Sequence, residues 1–256
     1  MGTEKSRTHG TALVIGGSGG LGSTICRALA QEWESLYFTY HSNEQAARAL
    51  QAEIGDECQV AFSAVDLRDA GSIEAALAQA TDRFGKLGTV VFAGGVAIEQ
   101  PYVADISQQQ WDEVFDVELA GFTRLVRAAI PLLRTEGGGN LVAVVSFAPY
   151  HFPPGDALSA VPKAAIEVLC RAIAREEGRN GIRANSVAPG IINAGLGNAF
   201  QKTMFTPEVW EEQRRRVPLK RFGESREIAD CVAFLASERA SYVTGQTIIV
   251  DGGLQL

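Results

Sequence analysis

Apolar residues fall into short solid runs separated by longer stretches in which they recur every three or four positions. The solid runs are Ala12–Ile15, Leu36–Tyr40, Val60–Ala64, Thr89–Phe92, Leu141–Val145, Arg183–Val187 and Thr247–Val250. Several are apolar throughout rather than alternating, as expected of strands buried on both faces of a parallel sheet. The periodic stretches Leu21–Gln31, Glu44–Ile54, Ser72–Phe84, Trp111–Arg134, Ala160–Arg179 and Arg226–Leu235 predict amphipathic helices. Strand and helix alternate from Thr11 onward with no linker, repeat or low-complexity tract, so residues 1–256 predict one domain. Its expected architecture is α/β: a doubly wound parallel sheet of about seven strands with helices on both faces. The alternation breaks at about 191–223, where Thr206 and Pro207 predict a small helix, Thr as N-cap and Pro in its first turn. An excursion just past a strand's carboxyl end is placed like a substrate lid.

The first predicted strand runs into Gly16-Gly17-Ser18-Gly19-Gly20-Leu21-Gly22 and then directly into a helix. Side chains in such a turn would block the approach of backbone N–H groups to a pyrophosphate at the helix N-terminus. Strand before and helix after are the context a dinucleotide-binding turn requires, and the alternative is a merely structural turn. A site that prefers NAD carries Asp or Glu at the end of the second strand to hold the adenine ribose. Here the strand ends in Tyr40, His41, Ser42 and Asn43, without a carboxylate, which favours NADP(H) over NAD(H). The alternative is an ordinary turn in which Asn43 caps the next helix. Asp66 and Leu67, after the third strand, are placed to receive the adenine amino group, or Asp66 belongs to a solvated turn.

Composition narrows the partners. With 23 Lys+Arg against 30 Asp+Glu the net charge is −7, so no basic surplus points to nucleic acid. No apolar stretch approaches the ~18 residues of a membrane span, and the first dozen residues lack a signal-peptide core, so a cytoplasmic protein is expected. Gly2 and Ser6 fit only the loose pattern for N-myristoylation. Cys26, Cys58, Cys170 and Cys231 form no C-x-x-C pair and His9, His41 and His151 are scattered, so neither a metal site nor a disulfide framework is expected.

Taken together, the glycine turn, Asp66-Leu67, Ala93-Gly94-Gly95, Ser146, Lys163, the Asn185–Gly190 run and the closing Val243–Gly253 resemble the short-chain dehydrogenase/reductase family over nearly the whole chain. The resemblance implies a nicotinamide cofactor contacting Gly16, Ser18, Gly20, Leu21, Gly22, Tyr40, His41, Ser42, Asp66, Leu67, Ala93, Gly94, Gly95, Lys163, Pro189, Gly190 and Ile192. It also implies a single-domain Rossmann fold and a homo-oligomer, tetramer or dimer. In the family a Ser holds the substrate carbonyl, a Tyr donates the proton, and a Lys four residues later binds the nicotinamide ribose and lowers the Tyr pKa. An Asn on an earlier helix completes the set. Ser146 and Lys163 match, but the Tyr position is Ser159 and the Asn position is Glu118. Val91-Phe92 replaces a common Asn-Asn, and Ala194 replaces a Thr that often holds the nicotinamide amide.

A serine hydroxyl is a far weaker acid than a phenol and too short to reach the same substrate atom, so the usual carbonyl-reduction relay is broken. Ser159 also reads as the N-cap of its helix, with Pro162 in the first turn. Tyr150 is the first candidate for a replacement donor, followed by His151 on the same loop. Asp156 and Glu118 are alternatives that burial would raise into a useful range. Asp156 otherwise caps a helix, and Glu118 is a helix-face charge or a pair for Arg124 or Arg127. The 2,4-dienoyl-CoA reductases of this family look similar, with Ser at the Tyr position and a loop Tyr, although that Tyr would align with Ala148 and their Asn with Ala120. Lys202, Arg214, Arg215, Arg216, Lys220 and Arg221 would anchor a CoA, or form a solvated helix face.

The catalytic candidates are therefore Ser146, Ser159, Lys163 and Tyr150. The expected activity is an NADP(H)-dependent reductase of a small, largely apolar carbonyl or conjugated alkene, its pocket lined from Phe147, Tyr150, Phe152, Phe200, Met204, Phe205 and Trp210. The alternatives are a cofactor-binding protein with a non-redox role, as cyclase, isomerase or sensor, and a structural subunit.

Overall fold

The computed structural model describes residues 7–96, 99, 101–194 and 206–256. Seven parallel strands form one sheet in the order β3-β2-β1-β4-β5-β6-β7. They are β1 (Thr8–Ile15), β2 (Trp33–Tyr40), β3 (Gln59–Ala64), β4 (Leu87–Phe92), β5 (Gly139–Val144), β6 (Ile182–Pro189) and β7 (Thr247–Val250). Every residue of β4 is buried, whereas the edge strand β7 is half-buried throughout, which is why the central strands are the solid apolar runs. The order reverses between β1 and β4, and there the backbone N–H of Ala93 donates to the Ile15 carbonyl at 3.0 Å. The crevice outside those carboxyl ends is where such sheets bind ligands.

Helices cover both faces. On one, α3 (Ala70–Phe84), α5 (Gly121–Thr135) and α7 (Ala157–Glu177) bury Leu77, Phe122, Leu125 and Ile166. On the other, α1 (Gly20–Ala30), α2 (Glu44–Ile54) and the helix Ser225–Ala236, here α9, bury Ile25, Leu29, Leu50, Ile228 and Val232. The expected single-domain Rossmann fold is present.

Three local expectations need correction. The single helix expected over Trp111–Arg134 is divided into α4 (Gln108–Val114), a π-helical turn over Phe115–Ala120, and α5. The turn adds a residue to the helical repeat and redirects Glu118 inward, where it is buried. Second, α7 begins at Ala157, so Ser159 lies inside its first turn and is not its N-cap. Asp156 holds the cap position; its carbonyl accepts from the N–H groups of Ser159 and Ala160, at 3.1 and 2.8 Å, but its carboxylate caps nothing. Third, Pro162 is sixth in the helix rather than in its first turn, buried against the core.

Between β5 and α7 a short helix α6 (Ala148–His151) ends on Phe152, a left-handed residue at φ +49°. Beyond β6 the chain leaves the sheet and returns through α8 (Pro207–Arg216), which starts after Thr206 with Pro207 in its first turn, as expected, although the Thr206 side chain makes no capping bond. The two ends of the excursion are tied together. Ile192 and Gly223 form a parallel bridge, Asn193 N–H donates to the Gly223 carbonyl at 2.8 Å, and Gly223 N–H donates to the Ile191 carbonyl at 2.9 Å.

Candidate active site

The glycine turn is shaped by contacts that exclude side chains. Gly16 sits at φ +79° with its N–H donating to the Thr39 hydroxyl at 3.0 Å, and a Cβ there would meet the Ala93 carbonyl oxygen at 2.9 Å. A Cβ on Gly22 would overlap the Gly16 carbonyl oxygen. The first turn of α1 carries no acidic residue, and Gly19, Gly20, Leu21 and Gly22 line a cavity of about 770 Å³. Unpaired N–H groups at a helix start, approachable because nothing but hydrogen projects there, fit a pyrophosphate. Ala93, Gly94, Gly95, Lys163, Pro189, Gly190 and Ile192 line the same cavity.

The other cofactor candidates lie outside it. Gly16 and Ser18 belong to the turn itself. Tyr40 packs edge-on against Phe62 at 5.8 Å, while His41 and Ser42 are exposed at the end of β2. Asn43 caps α2, its side chain accepting from Ala46 N–H at 3.0 Å. Asp66 accepts from Arg68 N–H at 2.9 Å in a tight turn, and the Leu67 side chain belongs to the core.

At the cavity floor Lys163 donates to Glu118 Oε2 at 2.5 Å, with 11 % and 6 % of the two side chains exposed. The second Glu118 oxygen accepts from Val96 N–H at 3.2 Å. Glu118 is therefore neither a surface charge nor a partner of Arg124, which instead donates to Asp116 Oδ1 at 2.6 Å. Ser146, at the end of β5, and Ser159 line the cavity as well. The Ser146 hydroxyl oxygen accepts from Ala148 N–H at 3.1 Å, which leaves its proton available to a substrate oxygen.

Tyr150 is not in this constellation. Burial, with Glu167 beside it adding to the rise and Thr247 opposing it, pushes the phenol up to about 12. The α6 turn sends Tyr150 away from the cavity and His151 toward it, the imidazole stacked on Phe147 at 5.8 Å. Phe152, Pro153 and Pro154 line the wall beside it. Asp156 also lines the cavity, and burial pushes its carboxyl up to about 7; the Lys163 charge opposes the rise and the Glu118 charge adds to it.

From the excursion, Val209, Trp210, Gln213 and Arg216 reach the cavity. The basic run there is neutralised locally: Arg214 and Arg215 pair with Glu211, Arg216 with Glu212, and Arg221 with Glu227. Lys220 donates to the Arg215 carbonyl at 2.7 Å. The described arginines of the run are thus held in local pairs. Gly2, Ser6, Phe200, Lys202, Met204 and Phe205 lie outside the described residues. Among the described residues no group of three or more His, Cys, Asp or Glu is arranged to hold a metal, and no helix is long and apolar enough to cross a membrane.

A family model described as Enoyl-(Acyl carrier protein) reductase matches residues 16–255. The chain belongs to the short-chain dehydrogenase/reductase family. Among its short-chain dehydrogenase/reductase relatives, 3-oxoacyl-[acyl-carrier-protein] reductase FabG of Staphylococcus aureus is 32 % identical over 247 residues, covering 96 % of this chain and 98 % of that one. The crystal structure of levodione reductase superposes with a TM-score of 0.91 at 29 % identity, covering 98 % of this chain and 99 % of its own. A short-chain type dehydrogenase/reductase from Mycobacterium ulcerans gives a TM-score of 0.91 at 26 % identity, covering 98 % and 91 %. Short-chain dehydrogenase/reductases bind a nicotinamide cofactor, and these relatives are oxidoreductases. Ser146, Ser159, Lys163 and Glu118 line one cavity with the glycine turn.

Proposed function

We propose that the protein is an NADP(H)-dependent reductase of a small, largely apolar carbonyl or conjugated alkene, with its proton supplied by a group other than a tyrosine at position 159. The observation that carries this reading is the sharing of one cavity by the glycine turn, Ser146 and Lys163 with an apolar wall from Phe147, Phe152, Pro153, Trp210 and Leu254. Such a cavity, mostly apolar with few convergent polar groups, suits a small hydrophobic substrate.

The N–H groups of Gly20 and Leu21 would hold the pyrophosphate of a bound cofactor, and Lys163 would face its nicotinamide ribose. Tyr40, His41 and Ser42 leave the end of β2 without a carboxylate, which admits a 2′-phosphate. When bound, the reduced nicotinamide supplies a hydride. Ser146 would donate a hydrogen bond to the substrate oxygen, and the segment expected as a lid reaches the cavity through Val209, Trp210 and Gln213. The working form is a homo-oligomer in the cytoplasm.

The test is a fluorescence titration with NADPH and NADH, followed by absorbance of the reduced nicotinamide with a panel of enones, enoyl thioesters and ketones. Tighter NADPH binding with oxidation on a panel member is the expected result. Tight binding without oxidation on any of them moves the protein to a non-redox role, and no binding of either nucleotide removes the dinucleotide site itself.

A further inference from the structure

We propose that Asp156 is the general acid of this cavity, delivering a proton to the substrate atom that does not receive the hydride and so replacing the missing phenol. The reaction named here rests on the reductase reading; the protonation of Asp156 does not.

An aspartate at a helix N-cap position ordinarily accepts a hydrogen bond from the second or third helical N–H. Asp156 holds that position in α7 and makes no such bond. Among the described residues no hydrogen bond reaches its carboxyl group, which instead lines the cavity. Asp156, Ser159 and Lys163 are spaced i, i+3, i+7, so the start of α7 presents a carboxyl, a hydroxyl and an ammonium along one face. Only the carboxyl of these three is an acid suited to neutral pH.

The charges around it keep the proton on. On its own helix Lys163 faces it, which by itself favours the carboxylate. The π-helical turn brings Glu118 onto Lys163, so the ammonium is matched by a carboxylate within the same site. His151 from α6 and Arg216 from α8 line the same cavity, and Arg216 is paired with Glu212. The cavity segments after β4 (93–96), at the end of β5 (144–147) and after β6 (189–192) contribute no charged residue. Burial therefore dominates and holds the carboxyl at about 7, where an acid is both protonated often enough and strong enough to work at neutral pH.

The step balances as follows. The Asp156 O–H bond breaks as a new O–H or C–H bond forms on the substrate, whose other reacting carbon takes a hydride from the reduced nicotinamide co-reactant. The substrate gains two electrons and the nicotinamide loses them. Asp156 is left as a carboxylate beside Lys163 and is reprotonated by water at the cavity mouth.

The experiment compares wild type with Asp156→Asn and Asp156→Glu. First, the unliganded proteins are titrated by infrared difference spectroscopy. A carboxyl band titrating near pH 7 in wild type and absent from D156N is expected; if every band shared by both proteins accounts for wild type, or the lost band titrates in the ordinary carboxylate range, the proposal falls. Second, single-turnover oxidation of NADPH is followed with the best panel substrate. D156N is expected to bind NADPH normally, slow about 10²–10⁴-fold and lose the pH dependence near 7, while D156E recovers at least part of both. A D156N rate within about threefold of wild type, or an unchanged pH profile, overturns the assignment. Should wild type bind NADPH but reduce nothing, the reductase reading fails alone, and the infrared titration decides whether Asp156 remains the cavity's acid.

Discussion

Lys163 ends on Glu118, a residue forty-five positions earlier in the chain, and both side chains are almost wholly withdrawn from water. Such a pair is expensive to break from one side, because the surviving charge stays buried. Lys163→Met is expected to destabilise the fold by about 3–5 kcal/mol, and Lys163→Met combined with Glu118→Gln to recover most of that loss. Urea unfolding of the two single variants and the double variant checks it as a double-mutant cycle, and additive losses would show that the pair does not couple.

The same pair predicts why a tyrosine alone will not restore ordinary chemistry. Ser159→Tyr places a phenol four residues before Lys163, but the ammonium that would tune it is already matched by Glu118. Ketone reduction is expected to stay weak in that variant and to rise about tenfold or more when Glu118→Asn is added, a non-additive gain. Steady-state rates on one ketone across the four combinations measure it. Equal effects of Ser159→Tyr in both backgrounds would contradict the control assigned to Glu118.

Gly22→Ala is expected to abolish dinucleotide binding. The added methyl would overlap the Gly16 carbonyl oxygen, and the turn proposed to hold the pyrophosphate would have to open. Fluorescence titration with NADPH is the measurement, alongside circular dichroism to show that the sheet persists.

Acid stability has a definite sign at Glu177, the last residue of α7. Arg134 donates to both of its oxygens and Asn180 adds a third bond, and the Arg134 bond with its companions holds the carboxyl at about 2. The unfolded value is about 4.3, so this contribution is complete above that pH and disappears as the pH falls toward 2. The difference in Tm between wild type and Glu177→Gln is expected to shrink between pH 5 and pH 2. A constant difference would mean that the bonds do not stabilise the native state.

The sheet and the glycine turn were legible because their signals are local. Solid apolar runs, periodic helices and glycines bounded by strand and helix each speak within a dozen residues, and β1, α1 and β4 fall where that pattern places them. The remainder depends on geometry that a periodicity does not carry. Apolar spacing continues smoothly through Phe115–Ala120, so nothing there announces the π-helical turn that sends Glu118 to Lys163. Ser159 followed by Pro162 imitates a helix start, although the helix begins two residues earlier. Tyr150 and His151 are adjacent, and only the direction of the α6 turn decides which of them meets the cavity.

The bridge between Ile192 and Gly223 separates two problems that evolution would otherwise have to solve together. With the ends of the excursion fixed to each other, its length is felt only through ring-closure entropy, about 0.6 kcal/mol for each doubling. Its returning end is held a second time, by Val217 and Phe222 packed with Phe147 and Leu254. The scaffold can thus acquire a new substrate preference by replacing one tethered insert while its nucleotide turn and its buried ion pair stay untouched.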